Sequence, residues 1–476
     1  MPPRASIWIA VTRLLLGSIA PLVVFASRFG RTVILSRALS PGAYGTVVAV
    51  TTIYAILDMI DIGLDRFVMI NAGPKRAAAV RAAQQIAFAR GLIAMMVIAV
   101  FAPALSAIFG AGTHVELVRW LAPLPVLRSL ANLRVKQVLQ EYRNGPEMLA
   151  AIASQVAGLL VLFPALALFE DERAMLASLY VDSAAYVVVT WLVLPREKVT
   201  LMDPTLRRDA LVYGLPLIVN GAGLLVVSQA DKLLVGNLFG LETLALYSLV
   251  VNLALMPLSP LGAVLQNLSI AFLTEREDVA GSTSRSFAVS WMFVVVASAY
   301  TACVAVLLDV FVPLFYGAKY AVPPEIKVLV ALLAFTRFAR QGPTAVLLAA
   351  GRTSRLAAAN LIAGGGLLVG YAFGLLADNL PVVLAGIVAG DSVATLFIFL
   401  QIRPRLPAKA TVTHALLLAL PVVATCTLAL SEGGGPLWKR GVILLFAMIL
   451  VGLDLVVGQR IHPIDEPPSP RPVPAS

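Results

Sequence analysis

Long apolar runs are the feature that most restricts how this chain can fold. Fourteen stretches of about twenty or more mostly apolar residues follow one another, at roughly 13–36, 44–69, 86–109, 118–139, 149–169, 174–194, 210–238, 244–273, 287–315, 326–350, 356–376, 382–402, 410–430 and 441–458. At 1.5 Å per residue a helix of that length crosses about 30 Å of hydrocarbon. With 59% apolar residues and only 13% charged, the sequence lacks the charge that a soluble protein of this size would carry. It reads as an all-α polytopic membrane protein with about fourteen transmembrane helices. No loop exceeds about fifteen residues, which leaves no room for a catalytic domain outside the membrane. The first apolar stretch keeps Arg13, Arg28 and Arg31 and lacks a small-residue cleavage site, so it reads as a retained helix and not a signal peptide.

The net charge of +10 does not point to nucleic acid, because the basic residues are scattered over short loops and form no solvated face. Alternate loops sort by charge instead. With the N-terminus inside, 18 Lys and Arg fall on one side against 5 on the other (Arg37, Arg173, Lys319, Lys439 and Arg440), which predicts both termini in the cytoplasm of a multi-pass bacterial inner-membrane protein. Cys303 and Cys426 lie far apart, and His114, His414 and His462 are scattered, so neither a disulfide framework nor a metal site is argued.

The spans are duplicated. At an offset of 209 residues Arg128 recurs as Arg337, Arg143 as Arg352, Asp182-Ser183 as Asp391-Ser392, and Pro195-Arg196 as Pro404-Arg405. A shorter echo at 203 aligns Arg37–Tyr44 with Gly240–Tyr247. Six spans per repeat is an even number, so both copies enter the membrane in the same direction, related by an axis along its normal. The expected domains are an N-lobe over 1–200, a C-lobe over 201–409, two further helices over 410–460 and a proline-rich, disordered tail over 461–476. Two similar lobes that rock about a site between them are how alternating-access transporters are built.

Cations buried in the spans are the candidate site. An Arg or Lys at mid-membrane costs about 2.5–3.5 kcal/mol on insertion scales and needs a wet cavity or a partner. Arg28 and Arg31 are three apart, as are Arg337 and Arg340, so each pair shares a helix face; Arg128, Asn132 and Lys136 make a stripe at steps of four. Arg28, Arg31, Arg128, Lys136, Arg337 and Arg340 are therefore the candidate substrate-binding cations, balanced against the alternative that each neutralises a nearby carboxylate. At the 203 offset Arg28 falls on Asp231, which makes Arg28 and Asp231 a candidate gate pair, with Lys232 and Asp61 beside it. The Pro257/Pro260 pair is a candidate hinge, and Gly366, Gly370 and Gly374 predict a close helix contact. There is no GxxxxGK[ST], HExxH or GxSxG motif, so energy is expected from an ion gradient (H+ or Na+), a substrate gradient or a partner, with no cofactor.

Leu39 to Tyr44-Gly45, Asp61-x-Gly63-Leu64, Pro216, Asp231-Lys232 and Tyr247 together resemble the polysaccharide branch of the multidrug/oligosaccharidyl-lipid/polysaccharide (MOP) exporter superfamily. The resemblance implies two pseudo-symmetric, MATE-like lobes and a flippase. Such a protein moves a polyprenyl-diphosphate-linked oligosaccharide from the cytoplasmic to the periplasmic leaflet for surface polysaccharide or lipopolysaccharide assembly. Its partners would be the lipid-linked glycan, membrane lipid and a polysaccharide polymerase or ligase. Arg28 and Arg31 are the arginines that the resemblance carries over to the diphosphate, and guanidinium forks suit phosphate oxygens. Of the alternatives, a multidrug exporter of this fold would need an acidic cavity for cationic drugs. A peptidoglycan-precursor flippase shares the cationic logic. A polytopic glycan ligase or polymerase, the enzyme alternative, usually carries a large periplasmic loop that this chain lacks.

Overall fold

The computed structural model describes residues 4–59, 63–71, 76–112, 114–138, 145–194, 204–274 and 279–402. The predicted spans at 410–430 and 441–458, Asp61, most of the 195–209 linker and the tail lie outside them. Among the described residues every regular element is helical. Seven stretches are long and apolar enough to cross a membrane: Arg76–Ile108, Gly145–Phe169, Arg173–Val193, Gln229–Ile270, Arg285–Tyr316, Ser354–Ala377 and Leu380–Ile402. Their surfaces carry large apolar side chains open to the surroundings, among them Leu376 at 84%, Leu192 at 77% and Leu361 at 76% exposure. Water would oppose that arrangement and lipid favours it.

The chain forms two compact units. The first holds residues up to Leu249 together with Pro313–Tyr320, and the second holds Val250–Val312 and the chain from Ala321. Helices α1 (Arg4–Ala38), α2 (Pro41–Met59), α3 (Leu64–Ile70), α4 (Arg76–Ile108), α5 (Val115–Trp120), α6 (Pro123–Ser129), α7 (Arg134–Gln137), α8 (Gly145–Phe169) and α9 (Arg173–Val193) make up most of the first unit. There α8 pairs with α9 as a hairpin, α1 lies on α8, and α4 packs on α5 and α6. Helix α10 (Pro204–Leu255) bends at Gly240, whose φ of 79° falls where the sequence predicts the gap between two spans. The two corners equated by the 203 offset meet here: a Cβ on Gly45 would lie 1.9 Å from the carbonyl oxygen of Leu241, so only glycine fits.

Two cations fasten the Pro313–Tyr320 segment to the end of α1. Arg37 Nε donates to the carbonyl of Phe315 at 2.9 Å, and its Nη2 donates to Leu314. Lys319 Nζ donates in return to the carbonyls of Arg37, at 3.2 Å, and of Leu39. Each cation thus satisfies carbonyls at the C-terminal end of the other helix, where orphan acceptors and the negative end of the dipole lie.

The second unit is built from α11 (Leu258–Thr274), α12 (Val279–Tyr316, up to Val312), α13 (Pro324–Ala339), α14 (Gln341–Ala349), α15 (Thr353–Ala377) and α16 (Leu380–Ile402). The tight contact expected of the small residues on α15 is present. Cβ atoms built on Gly366 and Gly370 would come within 2.2 Å of Gly390 Cα and 2.6 Å of the Val383 carbonyl oxygen, so the α15–α16 hairpin closes backbone to backbone.

Several predicted spans are not single helices. The stretch 118–139 is cut into α5, α6 and α7, and 326–350 is cut into α13 and α14 between Ala339 and Gln341. Prolines account for both cuts: Pro123 and Pro125 open α6, and Pro343 has no N–H to offer the Ala339 carbonyl. The run 44–69 is interrupted at Gly63, which has φ 64°, just before α3 begins at Leu64, and the run 244–273 breaks between Leu255 and Leu258, at Pro257. Broken backbone at membrane depth must find partners inside the protein. In the first unit Gln84 Nε2 donates to the Ser129 carbonyl at 2.6 Å and its Oε1 accepts from Leu133 N–H at 3.4 Å. Thr190 Oγ1 accepts from Asn132 N–H at 3.1 Å, and Trp191 Nε1 donates to the Leu130 carbonyl at 2.8 Å. In the second unit Thr395 Oγ1 donates to the Thr336 carbonyl at 3.2 Å.

Candidate anion-binding cavity

The break between α6 and α7 opens a cavity of about 260 Å³ inside the first unit, walled by α3, α4, α6, α7 and α9. Its polar lining is Asp65, Arg90, Arg128, Ser129, Asn132, Lys136 and Tyr186. A continuous helix over 118–139 would have spent these backbone groups on its own ladder, whereas the interrupted one turns Arg128, Asn132 and Lys136 toward a common space. The Arg128 guanidinium lies over the Tyr186 ring, 3.8 Å from its centroid. Lys136 Nζ is 3.0 Å from Asp65 Oδ2 and also pairs with Glu147. The stripe expected from steps of four thus does line one wall. Arg90, in the first third of an apolar span, stands outside the steps of four and the repeat positions that mark the other cations in the sequence.

Arg31 is 5% exposed and committed within the first unit. It pairs with Asp182 at 3.4 Å, donates to Gln155, and reaches Ser178 Oγ at 3.5 Å, while Gln155 Nε2 donates to Asp182 at 2.9 Å. Arg28, three residues earlier, is exposed and forms no ion pair among the described residues. Asp231 is 3% exposed and accepts the Tyr247 hydroxyl at 2.7 Å; Lys232 Nζ donates to Gln229 at 3.2 Å. In this conformation the Asp231 carboxylate is therefore held by a tyrosine and not by Arg28.

In the second unit Arg337 Nε bonds Asp391 Oδ2 at 3.0 Å, and Arg340 Nη1 approaches Asp391 Oδ1 at 3.5 Å. The Arg340 contact is coulombic only, since neither atom has a hydrogen bond. Asp391 is 2% exposed, so both arginines share one buried carboxylate. Among the described residues no cluster of three or more His, Cys, Asp or Glu is placed to hold a metal ion.

A bundle of apolar helices, several of them interrupted around polar side chains, defines a multi-pass membrane protein. The fold is similar to that of the lipid II flippase MurJ in an inward closed conformation (TM-score 0.69, 12% identity, over 94% of this chain and 99% of that one). It is also similar to an inward-facing multidrug resistance MATE family transporter of the MOP superfamily (TM-score 0.62, 16% identity, 83% and 98%) and to a MATE protein in its bent conformation (0.54, 14%, 88% and 96%). No curated protein sequence matches the chain significantly. The profile of the polysaccharide biosynthesis protein family matches residues 34–325, more than half of the 476, and the chain belongs to that family.

Proposed function

We propose that this protein is a flippase that carries a polyprenyl-diphosphate-linked oligosaccharide from the cytoplasmic to the periplasmic leaflet of the bacterial inner membrane by alternating access. The observation that carries this reading is the basic cavity inside a membrane-embedded unit of a polysaccharide-biosynthesis family member. Three cations, Arg90, Arg128 and Lys136, face one carboxylate, Asp65, in its lining. A cation in hydrocarbon is costly unless it meets water or an anion, and a diphosphate supplies the anion. The sugars would cross in water while the polyprenyl tail stays in lipid, and the product would pass to a polymerase or ligase outside. The same lining disfavours a multidrug exporter, because a cationic drug would meet net positive charge.

The test is leaflet translocation in liposomes holding the purified protein. A fluorescent polyprenyl-diphosphate oligosaccharide should move faster than in protein-free vesicles, a lipid II analogue more slowly, and a cationic dye not at all. Dye efflux without movement of the lipid-linked sugar would make this a drug exporter, and faster movement of the lipid II analogue would make it a peptidoglycan-precursor flippase.

A further inference from the structure

The six candidate cations are not equivalent, and the difference places the phosphate. Among the described residues Arg31, Lys136, Arg337 and Arg340 are each matched to a carboxylate. Arg28 and Arg128 are not, and of these two only Arg128 lines the cavity, where its guanidinium lies over the face of Tyr186. A guanidinium over a ring face meets the ring through its π-side and carries its N–H donors in its own plane, where they can serve a ligand.

The reason lies in the repeat. Asp182 occupies the position of Asp391, and Arg128 that of Arg337, yet Asp182 is consumed by Arg31 from α1. At the 203 offset the counterpart of Arg31 is Leu234, so the second repeat carries no cation at that position, and Asp391 bonds Arg337. Position 186 carries Tyr where 395 carries Thr, which supplies the stacking surface only in the first unit. Lys136, on the same cavity wall, is shared by Asp65, whose side chain is 43% exposed, and Glu147.

Resting on the flippase reading, we infer that the first unit's cavity is a phosphate-group subsite. Arg128 is its bidentate clamp, Tyr186 its positioning surface, Arg90 a second cation, and Lys136 a counter-charge that exchanges Asp65 for a phosphate oxygen. The ligand class is a phosphate or diphosphate group, either a prenyl diphosphate headgroup or a free inorganic anion.

The experiment titrates the full chain in nanodiscs with farnesyl diphosphate and, separately, inorganic pyrophosphate. Arg128→Ala should weaken binding at least about tenfold, the loss of a charge-assisted fork, and Arg128→Lys should recover part of it. Arg119→Ala, which removes a cation 51% exposed on α5, serves as the control and should titrate like wild type. An unchanged thermal unfolding midpoint in Arg128→Ala guards against a folding artefact. Binding of farnesyl diphosphate with competition by pyrophosphate assigns a lipid headgroup, and binding of pyrophosphate alone assigns a free anion. Wild-type affinity in Arg128→Ala, or an equal loss in Arg119→Ala, overturns the site. A wild-type protein that binds through Arg128 but moves no lipid-linked glycan leaves the site standing and sinks the transport reading. Movement of the glycan undiminished in Arg128→Ala does the reverse.

Discussion

Asp182 in the first unit and Asp391 in the second stand at equivalent repeat positions on α9 and α16, and they have chosen different partners. Asp182 is met by Arg31 and Gln155, while Arg128 lies over Tyr186 and lines a cavity. Asp391 is met by Arg337 and Arg340 from its own neighbourhood, so the arginine that corresponds to Arg128 is neutralised. The repeats also differ at the position of Arg31 on α1, which corresponds to Leu234 at the 203 offset. Duplication supplies two copies of a helix scaffold, and the different partners of the equivalent carboxylates leave Arg128 without the ion pair that Arg337 makes.

The largest expected effect attacks the second unit. Asp391→Ala removes the buried carboxylate that Arg337 and Arg340 share, and stability should fall by about 3–5 kcal/mol, the usual loss when one partner of a buried pair is removed. Arg337→Ala should cost less, because Arg340 remains to pair with the acid; thermal unfolding in detergent ranks the two, and the opposite ranking would break the assignment. Next comes Gly366→Val, whose Cβ would fall 2.2 Å from Gly390 Cα and force the α15–α16 hairpin apart. It should lower the unfolding temperature without altering pyrophosphate binding in the first unit.

Arg128→Ala is expected to leave stability within about 0.5 kcal/mol of wild type, since no charge partner is orphaned, while translocation of lipid-linked glycan falls at least about tenfold. Tyr186→Leu removes the stacking surface and should weaken binding by about 0.5–2 kcal/mol, read from the shift of the titration midpoint. The smallest effect is the paired exchange of Arg31→Met with Asp182→Leu. Replacing a buried ion pair by apolar side chains is often neutral or stabilising, so thermal unfolding should change little, whereas Asp182→Leu alone should cost several kcal/mol.

Much of the fold is legible from the apolar runs, because hydrocarbon demands continuous helices and the runs are long. The bend at Gly240 and the contact at Gly366 and Gly370 follow from residue type. What hydropathy hides is interruption. The stretch 118–139 averages as apolar, but Pro123 and Pro125 break it, and the carbonyls and N–H groups so released are satisfied by Gln84, Thr190 and Trp191 from helices 45 or more residues away. No local pattern announces those partners. The candidate cations were visible as isolated charges; their carboxylates were not, because Arg31 and Asp182 are 151 residues apart and meet only once α1 lies on the α8–α9 hairpin. Asp182 and Asp391 had surfaced as markers of duplication, and their role as counter-ions emerges from packing.

The asymmetry between the repeats is tested most directly by measuring glycan translocation for Arg128→Ala and Arg337→Ala side by side in liposomes, normalised to folded protein. The first should be slowed at least about tenfold more than the second. Equal slowing, or a greater loss in Arg337→Ala, would contradict the assignment of the anion-binding role to the first unit.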